Sequence, residues 1–237
     1  MNRSAVLACL IFWATSFTPF STIASMEDDP LLSAVFIDEF EWRNTDNEDL
    51  LSWDAQGWTG KDLNKFSWKT EGESQNGHVE DSELQLLYSR AVATYWDLNF
   101  GFRTDLEPDS GRDWAVVGFQ GLAPYFFELD ANLFFGKSGQ VAARVEAEYE
   151  FMFTQKLILS PELEINTYSK DDFRNGIGSG LSDLEFGLRL RYEFRREIAP
   201  YIGINWEKKY GKTADLARSK GNSTTDTQVV IGIRAWF

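Results

Sequence analysis

Cysteine and histidine are nearly absent from this sequence, each occurring once in 237 residues, as Cys9 and His78. Without a second cysteine there is no disulfide, and Cys-ligated zinc and Cys-X-X-Cys redox chemistry are excluded. Any catalysis using histidine as the base would have to run through His78, and no serine stands at strand spacing from it to complete a Ser-His pair. Basic charge is also scarce. Lys and Arg number 23 against 37 Asp and Glu, a formal charge of −14, so nucleic acid is excluded as a partner and cations are favoured. Beyond the N-terminus no segment approaches the ~20 consecutive apolar residues of a membrane helix. HExxH is absent. The glycines at Gly176, Gly178 and Gly180 lack the third glycine spacing and the βαβ setting of a dinucleotide loop. They read as an extracellular loop.

What is present is aromatic. Nine Trp, 19 Phe and 8 Tyr sit in a chain that is polar on average, with a mean hydropathy of −0.34. A barrel in lipid reconciles the two, because aromatics girdle its outside while polar groups fill its inside. The N-terminus supports export. Arg3, the apolar stretch 5–17 and the small-residue site Thr22-Ile23-Ala24 read as a secretory signal over 1–24, removed from the mature protein. Cys9 lies inside the apolar run, which continues past it, so a lipobox is the weaker reading. Residues 25–33 follow as a short periplasmic lead-in, and 34–237 as the barrel.

Period-two alternation carries the fold. In 125–135, Tyr125, Phe127, Leu129, Ala131, Leu133 and Phe135 oppose Phe126, Glu128, Asp130, Asn132 and Phe134. In 141–151, Val141, Ala143, Val145, Ala147, Tyr149 and Phe151 oppose Ala142, Arg144, Glu146, Glu148 and Glu150. A helix cannot produce that split; a strand with one greasy and one wet face does. The pattern returns in 96–104 and 184–194 and, more weakly, in 34–43, 51–59, 65–73, 79–90, 112–122, 157–168, 199–209 and 224–237. The expectation is an all-β, transmembrane, antiparallel up-and-down β-barrel of about 12 strands, each near the ~9–11 residues a tilted strand needs to cross a bilayer. A soluble β-sandwich also alternates, but its exposed faces would be rich in Thr, Ser and Lys and not in charge ladders of both signs.

Connections predict two ends. Leu122-Ala123-Pro124, Thr154-Gln155-Lys156 and Arg195-Arg196-Glu197 are short, whereas 169–182 and 211–223 are long and hydrophilic, as extracellular loops are. The last strand alternates Thr227, Val229, Ile231, Ile233, Ala235 and Phe237 and stops on the aromatic. Ile233, Ala235 and Phe237 resemble the signal read by the barrel-assembly machinery, an expected partner alongside the lipid of the outer membrane of a Gram-negative bacterium.

The wet faces supply the candidate chemistry. Asp97, Glu128, Asp130, Glu146, Glu148, Glu150, Glu162, Glu164, Glu185 and Glu193 alternate with Arg103, Arg144, Arg189 and Arg191. Carboxylates lining a confined space attract cations and can ligate a divalent metal through oxygen. Asp130, Glu146, Glu148, Glu150, Glu162 and Glu164 are the metal candidates. The competing reading is an Arg–Glu filling that only satisfies buried charge, in a structural or general-diffusion barrel without metal preference. No enzymatic activity is expected.

Several segments resemble the copper resistance protein B family: Trp53-Asp54-Ala55-Gln56, Lys69-Thr70-Glu71-Gly72-Glu73, Leu87-Tyr88-Ser89-Arg90-Ala91, Trp114-Ala115-Val116-Val117-Gly118, Gln120-Gly121-Leu122-Ala123-Pro124-Tyr125, Gly176-Ile177-Gly178-Ser179-Gly180-Leu181-Ser182-Asp183 and Thr227-Gln228-Val229-Val230. They run in the family's order from about Val35 to Phe237. The resemblance implies an outer-membrane protein of copper homeostasis with copper as its ligand, and it admits a periplasmic multicopper oxidase as a partner. Family members often carry a Met- and His-rich N-terminal extension. Here the lead-in has Met26 beside Glu27, Asp28 and Asp29, which leaves metal contact to the barrel's oxygens or to Met152 and His78.

Overall fold

The computed structural model describes residues 29–44, 49–108 and 112–237. The leader, Cys9, Met26, Glu27 and Asp28 lie outside the described residues. Residues 31–237 form one compact unit. Its strands are β1 (Leu32–Asn44), β2 (Asp49–Lys61), β3 (Asn64–Gln75), β4 (His78–Ala93), β5 (Trp96–Glu107), β6 (Arg112–Ala123), β7 (Phe127–Gly136), β8 (Val141–Glu148), β9 (Phe151–Met152), β10 (Leu157–Tyr168), β11 (Gly180–Tyr192), β12 (Ile198–Lys209) and β13 (Thr225–Trp236), with one helix, α1 (Gly211–Ser219), between the last two.

Each strand pairs antiparallel with its successor, and β13 returns to β1. β8 and β9 are two stretches of one stave, since both lie on β10 in a single register, so the ring has twelve staves. Alternation over 141–151 predicts one unbroken strand there. Pro161 on β10 explains the gap: Tyr149 N–H donates to the Pro161 carbonyl at 3.1 Å, and Pro161 has no N–H to return the bond.

The two faces separate as a bilayer requires. Phe66, Leu86, Phe102, Ile202, Val229 and Ile231 stand exposed on the outside, while Asn99, Asn205, Gln85 and Glu41 are almost wholly buried within. No described helix is long and apolar enough to cross a membrane, and the crossing is made by strands that satisfy one another's backbone groups. Closure is secured at the chain's end: Val35 N–H donates to the Phe237 carbonyl at 2.9 Å and Phe237 N–H returns a bond of 2.8 Å. Ile233 faces Pro200, and Ala235 lies opposite both Ile198 and Ile37.

The terminal end carries short connections throughout. The far end is mixed. Asn76-Gly77 is a two-residue turn with φ of 52° and 79°, the left-handed pair a tight hairpin demands, and a one-turn 3₁₀ segment joins β7 to β8. The other described far-end loops, 169–179 and 210–224, are the long pair. The second of these was expected as open loop; instead its first part is α1, which buries Thr213, Ala214 and Ala217. Gly178 N–H donates to Thr213 Oγ1 at 2.9 Å, and a Cβ on Gly178 would sit 2.3 Å from that of Lys212, so only glycine permits this docking.

Candidate functional site in the barrel lumen

Inward side chains of β1, β3, β11 and β12 form one ion-pair network. Arg43 reaches Glu41 (2.6 Å), Glu185 (3.1 Å), Glu39 (3.3 Å) and Glu73 (3.4 Å). Arg189 holds Glu39, Glu41 (3.1 Å) and Glu162 (2.8 Å). Tyr201 donates its hydroxyl to Glu41 at 2.9 Å, so the fully enclosed Glu41 carboxylate has three partners. That is the condition under which a buried charge is tolerated. A bulge in β1 between Ile37 and Glu39 shapes this corner, because the extra residue breaks the parity of the strand. Asp38 and Glu39 therefore both face inward, Asp38 meeting Gln56 (2.6 Å) and Arg234 (3.1 Å).

A second network fills the opposite side. Arg144 on β8 spans Glu71 (2.6 Å), Glu83 (3.1 Å) and Glu164 (3.5 Å), and Arg103 on β5 joins Glu83 (2.6 Å) to Asp105 (2.7 Å). Both guanidiniums lie over the Phe134 ring, 4.9 and 6.0 Å from its centroid. Alternation places Phe134 on the wet face, and there the structure buries it in an apolar cluster with Leu87, Trp114, Val116 and Ala142. Together with the buried Gln85, Asn99 and Asn132, this cluster packs the β4–β8 wall.

The open space lies in two chambers. A chamber of about 310 Å³ toward the terminal end is lined by nine carboxylates against four cations. A chamber of about 530 Å³ toward the far end is lined by fifteen against seven, and is bounded by Ile177, Thr213 and Leu216 of the docked loop and helix. Six residues line both chambers: Glu39, Asp54, Glu71, Glu146, Glu162 and Arg189. They mark the passage between them. Asp54, which makes no ion pair among the described residues, has Glu71, Asp38, Glu39 and Glu146 as electrostatic neighbours.

All six metal candidates face this lumen. Asp130 is paired with Lys69 and accepts a bond from Asn132 (2.7 Å); Glu164 accepts from Asn166 (2.6 Å). Glu148 meets Arg234 at 3.2 Å, Glu150 pairs with Arg191, and Glu146 has only Arg144, at 3.9 Å. Glu162 is on Arg189. Asp54, Glu39 and Glu71 complete the passage but were not singled out by alternation. The adjacent acids Asp38-Glu39, which break the period of β1, were the signal for the first corner. The soft ligands are not brought together: Met152 is exposed at the terminal end, and His78 opens β4 at the far end. Among the described residues, no three His, Cys, Asp or Glu side chains are arranged to hold a metal ion. Oxygen donors alone do not select Cu(II). The lumen thus suits a cation held by field, with its hydration shell, better than one chelated.

A family model described as copper resistance protein B precursor matches residues 31–237. The chain belongs to the copper resistance protein B family. Copper resistance protein B of Escherichia coli is 45% identical over 213 residues, covering 90% of this chain and 72% of that protein. A copper resistance protein B homolog of Pseudomonas syringae pv. tomato is 42% identical over 210 residues, covering 88% and 71%. Among solved structures, the NanC porin superimposes with a TM-score of 0.56 at 13% identity over 86% of this chain and 99% of its own, a likeness of fold. In this chain the segments 53–56 and 69–73 carry Asp54 and Glu71 at the passage and Lys69 in the terminal-end chamber, and 176–183 carries the Gly178 docking point.

Proposed function

We propose that this barrel serves copper resistance in the outer membrane of a Gram-negative bacterium, as a non-enzymatic cation path. Its acidic lumen concentrates copper(II) and either retains it or passes it across the membrane. The terminal end faces the periplasm, where an assembly machinery reads Ile233, Ala235 and Phe237 and a multicopper oxidase would meet the ion. The excess of carboxylates over cations along both chambers carries this reading. Low-dielectric walls focus the field of that excess and raise the local concentration of cations.

Purified barrel in planar bilayers, with a potassium chloride gradient and then with copper(II) added, tests it. The expected result is a reversal potential of cation sign and a current that copper(II) competes for. Calorimetric titration of copper(II) into the wild type and into a Glu146→Gln, Glu148→Gln, Glu150→Gln triple variant tests retention separately, with weaker uptake expected in the variant. Steady conduction indifferent to copper favours a general-diffusion barrel. Unchanged copper tolerance in a deletion strain would remove the role altogether.

A further inference from the structure

Arg189 is the one cation among the six residues shared by the two chambers. Its position is built from several sides. Glu39 and Glu41 on β1 and Glu162 on β10 hold the guanidinium by all three of its nitrogens. The register places Glu162 opposite Gly187, and a Cβ on Gly187 would come within 2.2 Å of Arg189 Nη1. The side chain therefore leans along β11 from its own position into the space the glycine leaves. Three carboxylates and a missing side chain fix a planar cation at the boundary that the two chambers share.

We infer that Arg189 is the gate of this passage, setting both its width and how strongly it favours cations; this rests on reading the barrel as a cation path. A guanidinium at the boundary offsets part of the field of Glu39, Asp54, Glu71, Glu146 and Glu162, and it occupies the space an ion must cross. Moving a hydrated cation between chambers requires Arg189 to shift or the ion to squeeze past it. Conduction is then low, and the barrier is local. Removal of Arg189 leaves Glu41 with Arg43 at 2.6 Å and the Tyr201 hydroxyl at 2.9 Å and leaves Glu39 with Arg43 at 3.3 Å, but it takes the Arg189 partner from Glu162, so the folding of each variant is established before its conductance is read.

The test compares wild type, Arg189→Ala, Arg189→Lys and Gly187→Ala in planar bilayers under a potassium chloride gradient, with folding checked by the heat-dependent shift in gel mobility. Arg189→Ala is expected to raise single-channel conductance by at least about threefold and move the reversal potential further toward that of potassium. Arg189→Lys keeps the charge and loses the fork, so conductance rises while selectivity stays near wild type. Gly187→Ala displaces the guanidinium and changes conductance without changing any charge. A wild type that conducts while folded Arg189→Ala and Arg189→Lys match it overturns the gate and leaves the path standing. Silence of wild type and all variants overturns both. A silent wild type with a conducting Arg189→Ala supports a gate that is shut at rest.

Discussion

The two sides of the lumen are built by opposite means. On the β4–β8 side, Leu87, Trp114, Val116, Phe134 and Ala142 pack a buried apolar cluster, and Arg103 and Arg144 are spread over the Phe134 ring. On the rest of the lumen wall, β1–β3 and β10–β12 together with Glu146 and Glu148 of β8, charges meet charges and line the two chambers. The packed side resembles the core of a soluble protein, where volume decides stability. The open side spends its charges on a passage. Substitutions should therefore separate the two, losing stability on the first and altering ion handling on the second.

Arg144→Ala should have the largest effect on stability. It strands Glu83, Glu71 and Glu164 at once, and removing one partner of a buried pair costs about 3–5 kcal/mol. Phe134→Ala should cost about 3 kcal/mol through its cavity. Denaturant titration followed by tryptophan fluorescence checks both. The double variant should fall short of the sum, since Arg144 lies over the ring that Phe134 supplies; full additivity would mean that the two sides of that contact are independent. Glu146→Gln at the boundary between the chambers should leave stability within about 0.5 kcal/mol of wild type, given its single 3.9 Å ion pair among the described residues, while weakening cation preference in the bilayer. A large stability loss there would break the comparison.

The smallest effect belongs to the far mouth. The Asp171 carboxylate is pulled down to about 2 by the Ser179 backbone N–H, the Ser179 hydroxyl and the Lys212 ammonium, against an ordinary value of 3.8. A depressed carboxylate holds its contribution above the ordinary value and loses it as pH falls toward about 2. Protection of the Ser179 amide, its exchange rate taken relative to the intrinsic rate at each pH, should thus stay high at neutral and mildly acidic pH and fall below about 4. Asp171→Asn should show the faster exchange at every pH, with β-barrel content by circular dichroism unchanged.

Much of this was legible in the sequence. Twelve staves follow from period two because lipid outside and water inside act on alternate residues all round the ring. Phe134 was visible on the inner face, yet alternation does not say whether an inner aromatic is wetted or packed; that depends on Leu87, Trp114 and Val116 arriving from staves distant in the chain. α1 escaped because Thr213, Ala214 and Ala217 form a short stripe in a polar segment, and a nine-residue helix is stabilised by docking on Gly178 and not by propensity. The passage residues were in plain view as carboxylates. Which of them stand at the boundary is a property of the closed ring.

The pairs from β1 to β11 are separated by two whole staves along the ring, β12 and β13. On a sheet not yet joined at β1 and β13, Glu41 and Arg43 stand at one margin, with Arg189 and Glu185 near the other, and all four are hydrated. Joining the margins by the Val35 and Phe237 hydrogen bonds brings them together for the first time. The same event that removes the last open edge thus pairs Arg43 with Glu185 and Arg189 with Glu41, and a ring that fails to shut leaves these four charges without one another. Closure in this molecule is an electrostatic latch as much as a strand pairing.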